Sequence, residues 1–356
     1  MGPRVERGEL RRGRLLPRFL KGVAGWPLDG AGGMERSAGV FPRHWILSVV
    51  LLAGVEVPVA GEIVARREGH QVVFRSGVRE MFRYQAEPGE LPRTGIPEVY
   101  RRGGYLHPLY SPSGRRVTED FPINHVHHHG VWSPWTHTEF EGRHPDFWNM
   151  GDRKGRVEFV ALERIWSHGS RAGFVAKHRF VDLLADPPKA ALDETWEVIA
   201  TETGGMRPAY QLDWTSTQTC AGESPLKLPQ YHYGGLGIRG HQVWNGSGHG
   251  LYRASGGETN RIAINATRSR WFWMGGPVDG GIAGIVVLCH PANFRFPQPM
   301  RLHPEEPFFC YAPQQLGAME IRPDVPYIAR YRLLMMDGHP DAAELDALWE
   351  GYAGGR

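Results

Sequence analysis

Cysteine is scarce in this chain: Cys220, Cys289 and Cys310 are the only three in 356 residues. That excludes a disulfide framework, and no CxxC spacing suggests a cysteine zinc site. Cys289 in GIVVLCH and Cys310 in PFFCYAP lie in apolar runs and read as small buried hydrophobes. An excess of one charge is also missing, with 41 Lys and Arg against 38 Asp and Glu. Nine of the basic residues (Arg4, Arg7, Arg11, Arg12, Arg14, Arg18, Lys21, Arg36 and Arg43) fall within the first forty-five positions, so the body beyond them is near neutral or acidic. A nucleic-acid surface is therefore not expected. Nor is there a long hydrophobic run. The uninterrupted stretch Trp45 to Val55 is about half of what a membrane span needs, so stable transmembrane anchoring is not expected.

That stretch has the length of a signal-peptide core instead. Arg36 and Arg43 precede it, and Ala60 and Gly61 follow as a cleavage zone. Residues 34–60 thus read as a signal peptide starting at Met34, with export to the periplasm or the exterior. Residues 1–33 read as a disordered basic tail or as an extension upstream of the true start.

From Gly61 onward the hydrophobic pattern has period two, broken by Gly, Pro, Asn and Asp clusters. HQVVFRSG, REMFRYQA, GRVEFVALERIWS, AGFVAKHRFVDLL, AALDETWEVIAT, AYQLDWTSTQT, NRIAINATRSRWFWM, GGIAGIVVLCH, AMEIRP and YIARYRLLMMDG all read as strands. They are too many and too close together for a βαβ arrangement. One helix is expected, DAAELDALWEGYA, with Asp341 as N-cap and a stripe of Ala342, Leu345, Leu348, Trp349 and Tyr352. The expectation is all-β: one antiparallel β-sandwich over residues 61–356 with a C-terminal helix, its ligand site on a concave face.

The densest chemistry lies in NHVHHHGVW, Asn124 to Trp132. If this stretch is extended, His125, His127 and His129 share one face and His128 takes the other. With His137, those three could ligate one divalent ion. No HExxH is present, and the Glu that would follow His-x-His in a cupin is replaced by Val131-Trp132-Ser133-Pro134. Without metal, His127, His128 or His129 would transfer protons, paired with Asp146 or Glu306. Trp132, Trp135 and Trp148, with Phe147, offer flat faces for a sugar ring. YHYGGLGIRG adds Tyr233 and Arg239. HPANFRFPQPMRLHPEEPFF, too Pro-rich for a strand, adds His290, Asn293, Arg295, Gln298, His303, Glu305 and Glu306.

The ordered set YLHPLYSPSGRRVTEDFP, HVHHHGVW, DFWNMG, YGGLGIR, HPANFRFPQPM and YRLLMMDGHPD resembles a bacterial family that carries the label methane oxygenase PmoA, and the likeness spans about Tyr105 to Asp341. The membrane subunit sharing that label is a multi-pass helical protein, which this strand pattern excludes. The resemblance implies a large β-sandwich similar to the galactose-mutarotase-like supersandwich, in secreted bacterial proteins. Such folds host epimerases, lyases and glycosidase-associated domains, and fold alone does not choose among them. Three readings follow: a carbohydrate-active epimerase, lyase or hydrolase taking a small-molecule or oligosaccharide substrate, a metal-dependent hydrolase or oxygenase, and a noncatalytic sugar-binding protein.

Overall fold

The computed structural model describes residues 61–203 and 209–355. The expected signal peptide and the extension before it lie outside these. In chain order the strands are β1 (Ile63–Glu68), β2 (Gln71–Ser76), β3 (Arg79–Gln85), β4 (Tyr105–Leu109), β5 (Val131–Trp132), β6 (Gly155–His168), β7 (Arg171–Asp182), β8 (Lys189–Glu202) and β9 (Tyr210–Cys220). They continue as β10 (Leu226–Leu228), β11 (Gly237–Arg239), β12 (Leu251–Ala254), β13 (Trp271–Val278), β14 (Gly281–Cys289), β15 (Met300–Leu302), β16 (Phe308–Tyr311), β17 (Met319–Ile321) and β18 (Tyr327–Asp337). The helices are α1 (Arg261–Ile264) and α2 (Ala342–Ala353).

Two eight-stranded sheets form the sandwich. The first runs β1-β2-β3-β4-β5-β11-β16-β15 and the second β12-β13-β14-β18-β9-β8-β7-β6, with β10 and β17 as a separate pair. All named strand pairs are antiparallel, so one face of each sheet can be buried while the other carries something else. Phe74, Leu106, Val131, Ile238 and Phe309 of the first sheet meet Phe174, Trp196, Leu212, Phe272 and Leu333 of the second in one buried core. Each such side chain contributes roughly 1.5–3 kcal/mol by leaving water.

Polar residues interrupt this core at one level. His178, Glu194 and Gln218 are cross-strand partners on β7, β8 and β9. Tyr84 of the opposite sheet shares a hydrogen bond with His178 Nε2 at 2.7 Å, and Glu194 accepts from Ser216 and Gln218. The network satisfies its own members, as buried polar groups require.

Helix α2 forms where expected. The Asp341 side chain accepts from the Ala343 N–H at 3.1 Å, and Leu345, Leu348, Trp349 and Tyr352 pack on Trp271, Trp273, Leu288 and Leu334 of the second sheet's outer face. Two expectations change. NRIAINAT is not strand but the short α1, because the Asn260 side chain accepts from the N–H groups of Ile262 and Ala263 and nucleates a helical turn. The Pro-rich stretch after His290 holds two short paired strands, β15 and β16, since its prolines (Pro291, Pro297, Pro299, Pro304 and Pro307) all fall outside them. Cys220, Cys289 and Cys310 are free thiols, the last two buried. Among the described residues no helix is long and apolar enough to cross a membrane.

Candidate functional site

The site is assembled on the outer face of the first sheet. Val131, Ile238 and Phe309 align across β5, β11 and β16 and point into the core. Alternation therefore turns their neighbours Trp132, Arg239, Phe308 and Cys310 outward. Gly237 sits among these without a side chain. A Cβ there would lie 2.8 Å from the Trp148 ring, so only glycine lets that indole settle on the sheet.

The histidine stretch lies over this floor, and it is not extended. The His125 N–H donates to the Pro122 carbonyl at 3.2 Å and the His128 N–H to the His125 carbonyl at 2.8 Å, making two successive turns. The alternation expected for His125, His127 and His129 fails for that reason. The His128 ring instead stacks on Phe308 at 4.7 Å and His125 stacks on His128 at 4.8 Å. His127 meets His128 edge-on at 4.6 Å, and His303 meets His125 edge-on at 5.4 Å. Four imidazoles thus converge, one of them from a stretch far along the chain.

Burial holds these rings neutral. It pushes His127 and His303 down to about 4, lowers His125, and takes His128 well below the ordinary imidazole value. The tautomer of His303 is set by its backbone. Its Nδ1 accepts from the N–H groups of Glu305 and Glu306 at 3.2 and 3.0 Å, so the neutral ring carries its proton on Nε2.

Beside the rings, Glu306 is clamped between the Asn124 amide and the Arg239 guanidinium. Arg239 also donates to Asn245 Oδ1 at 2.7 Å. Its Nε and Nη1 have no partner, nor do His125 Nδ1, His128 Nδ1, His129 Nε2 and Trp132 Nε1. Five of these, all but His129 Nε2, belong to one patch, out of eleven such buried atoms among the described residues, so unmet hydrogen-bonding capacity is concentrated there. Trp148 and Tyr233 form a side wall, with ring centroids 5.3 Å apart.

Asp146 is bonded to this wall rather than to the four imidazoles. Its Oδ1 accepts from the N–H groups of Trp148 and Asn149, both at 2.9 Å, and its Oδ2 from the Asn149 amide at 2.8 Å. The same amide donates to the Tyr233 hydroxyl at 2.9 Å. The carboxylate's charge still reaches His127.

Several expected site residues stand apart. His129 turns the other way, stacked on Tyr105 at 4.4 Å and bonded through Nδ1 to Asp120 at 2.6 Å. His137 is exposed and stacks on Tyr231. The proposed metal set of His125, His127, His129 and His137 is therefore split among three places. Among the described residues no three His, Cys, Asp or Glu side chains converge as a metal ion requires. Trp135 is core, its Nε1 donating to Gln218 at 2.7 Å. His290 packs edge-on to Tyr352 of α2. Asn293 bonds the Arg330 backbone in both directions, Arg295 caps the carbonyls of Pro313, Gly317 and Ala318, and Gln298 is buried against Tyr331. Asn293, Arg295 and Gln298 thus satisfy backbone carbonyls that the irregular chain leaves unpaired, while His290 Nδ1 accepts from the Ala292 N–H at 3.1 Å.

Asn124 and Asn245 were not legible as contributors, nor Tyr105 and Asp120 as the partners of His129, since these roles depend on contacts between residues separated in the chain. Two cavities of about 580 and 620 Å³ lie elsewhere, and neither is lined by the four imidazoles.

Residues 71–350 match the family described as a family of unknown function, DUF6807. The chain belongs to this family. The DUF6807 description names no methane oxygenase, so the resemblance stands only as membership of a family without an assigned reaction. No curated protein matches the sequence. Among solved structures, the chain is similar to heparan sulfate lyase HepC from Pedobacter heparinus, at 9% identity and a TM-score of 0.36, over 80% of this chain and 36% of that one. A TPR-domain containing protein from Parabacteroides distasonis is similar at 10% identity and a TM-score of 0.34, over 77% of this chain and 48% of that one. The chain thus spans less than half the length of either.

Proposed function

We propose that this DUF6807 protein is an exported carbohydrate-active enzyme, with its substrate over the outer face of the first sheet. The observation that carries the reading is the convergence of His125, His127, His128 and His303, all neutral, beside an aromatic wall and a clamped carboxylate. A neutral imidazole accepts a proton at physiological pH, and His127 is half-buried with no hydrogen-bond partner among the described residues. His127 is the base in this account. His303, with its proton on Nε2, donates a hydrogen bond to an oxygen that gains charge as the proton leaves. Glu306, held by Arg239 and Asn124, accepts from sugar hydroxyls, and the half-buried Tyr233, backed by the buried Trp148, offers an edge or face to the ring.

This arrangement serves epimerisation, elimination or hydrolysis alike, each needing a proton removed and an oxygen stabilised. A panel of neutral and acidic oligosaccharides tests it, with three readouts: anomeric proton resonances, new reducing ends, and ultraviolet absorbance of a new C=C bond. Conversion of one member, lost in His127→Ala, supports the proposal. Saccharide binding without conversion, unchanged in His127→Ala, would assign the patch to noncatalytic binding instead.

A further inference from the structure

The stretch Arg101-Arg102-Gly103-Gly104-Tyr105 leads into β4, and its glycines are pinned. A Cβ at Gly103 would lie 2.0 Å from the Ala86 carbonyl oxygen, and Gly104 has φ +75°. This fixes Arg102, which is 4% exposed. Its Nε donates to the Gly103 carbonyl at 3.0 Å, while neither Nη atom has a hydrogen-bond or ion-pair partner among the described residues. The carboxylates whose charge reaches it are already committed, Asp120 to His129 and Tyr105, and Glu194 to His178, Ser216 and Gln218. Glu90 lines the small cavity of about 140 Å³ on one side of Arg102 and makes no ion pair with it. A buried cation without a counterion is costly unless something supplies the charge.

On the other side Arg102 lines a groove of about 620 Å³ shared with Arg101, Arg153 and Arg156. Arg101 is paired with Glu98 at 2.6 Å and Arg156 with Glu158, which uses up both carboxylates of the groove. Arg153 has no side-chain partner among the described residues, and it holds a left-handed backbone, φ +54°, that non-glycine residues seldom adopt. Two guanidinium groups are thus uncompensated in one groove, beside apolar surface from Met150, Val157 and Phe159. The loop from Asp146 to Lys154 joins this groove to the histidine patch, placing Trp148 in one and Met150 and Arg153 in the other.

We propose that Arg102 and Arg153 form an oxyanion site for the carboxylate or sulfate of an acidic saccharide, which deepens the carbohydrate reading and rests on it. A planar guanidinium offers two parallel N–H groups to such an oxyanion, and the apolar lining takes the sugar body.

The test is calorimetric titration of the full chain with a glucuronate tetrasaccharide, its glucose counterpart of the same linkage, and inorganic sulfate. The acidic sugar is expected to bind about tenfold more tightly than the neutral one. That preference should disappear in Arg102→Met and fall in Arg153→Ala, an exposed position where folding is not at stake, and sulfate should compete. Equal affinity for both sugars, or a preference unchanged in the two variants, overturns the proposal. Sulfate binding that depends on Arg102 while neither sugar binds would keep the oxyanion site and overturn the saccharide reading.

Discussion

Single side chains around the histidine patch divide into those proposed to act on substrate and those that position them. His127→Ala removes the proposed base and is expected to lower turnover by about 10²- to 10⁴-fold with saccharide affinity little changed, a split that steady-state kinetics resolves. Asp146→Asn should do less to the chemical step and more to affinity, because that carboxylate organises Trp148 and Asn149. Gly237→Ala drives a methyl group against the Trp148 ring. It should cost about 1–3 kcal/mol of stability in urea denaturation, since a packed site accommodates an added carbon only by strain. The absence of three converging ligand groups among the described residues predicts that turnover survives chelation by EDTA. Activity lost to EDTA and restored by a divalent ion would return the patch to metal chemistry.

At the scale of elements, Asp341→Ala should destabilise α2 by about 1 kcal/mol through loss of its N-cap, measured by chemical denaturation. This helix was legible because its cap and its apolar stripe agree. The long strands β6 to β9 were legible for a similar reason: eleven to fourteen residues give period-two alternation room to show. The floor of the site was not. β5 has two residues, β11 three and β16 four, too few for any period to appear. The histidine loop misled because four histidines in five positions look like a strand face, whereas the turns at His125 and His128 are set by backbone hydrogen bonds that side-chain type does not reveal. Residues in the Pro-rich stretch were chosen on chemistry alone. Glu306 and His303 proved to face the patch, while Asn293, Arg295 and Gln298 satisfy backbone or core partners.

At the scale of the whole molecule, the buried histidines give stability a pH dependence with a definite sign. A free imidazole titrates near 6.5, whereas His127 and His303 are held at about 4 and His128 and His129 well lower. As pH falls through 6.5 the unfolded chain takes up protons that the native chain refuses, so their contribution is full above 6.5 and is lost towards 4. Asp120 opposes this. Burial raises its carboxyl from 3.8 to about 6, so its contribution is present below 3.8 and is lost as pH rises through 6. These four histidines, together with His107, which burial also holds at about 4, outnumber the one raised carboxyl and set the net direction: the melting temperature should fall between about pH 7 and pH 4.5, and less steeply in His127→Gln/His303→Gln. Proton transfer by His127 is read most directly from turnover. Wild-type protein and His127→Ala should be compared on the oligosaccharide panel, with binding measured alongside. Wild type is expected to convert at least one sugar, and the variant to bind it but convert it about a hundredfold more slowly or less. A sugar bound equally by both and converted by neither would contradict proton transfer by His127.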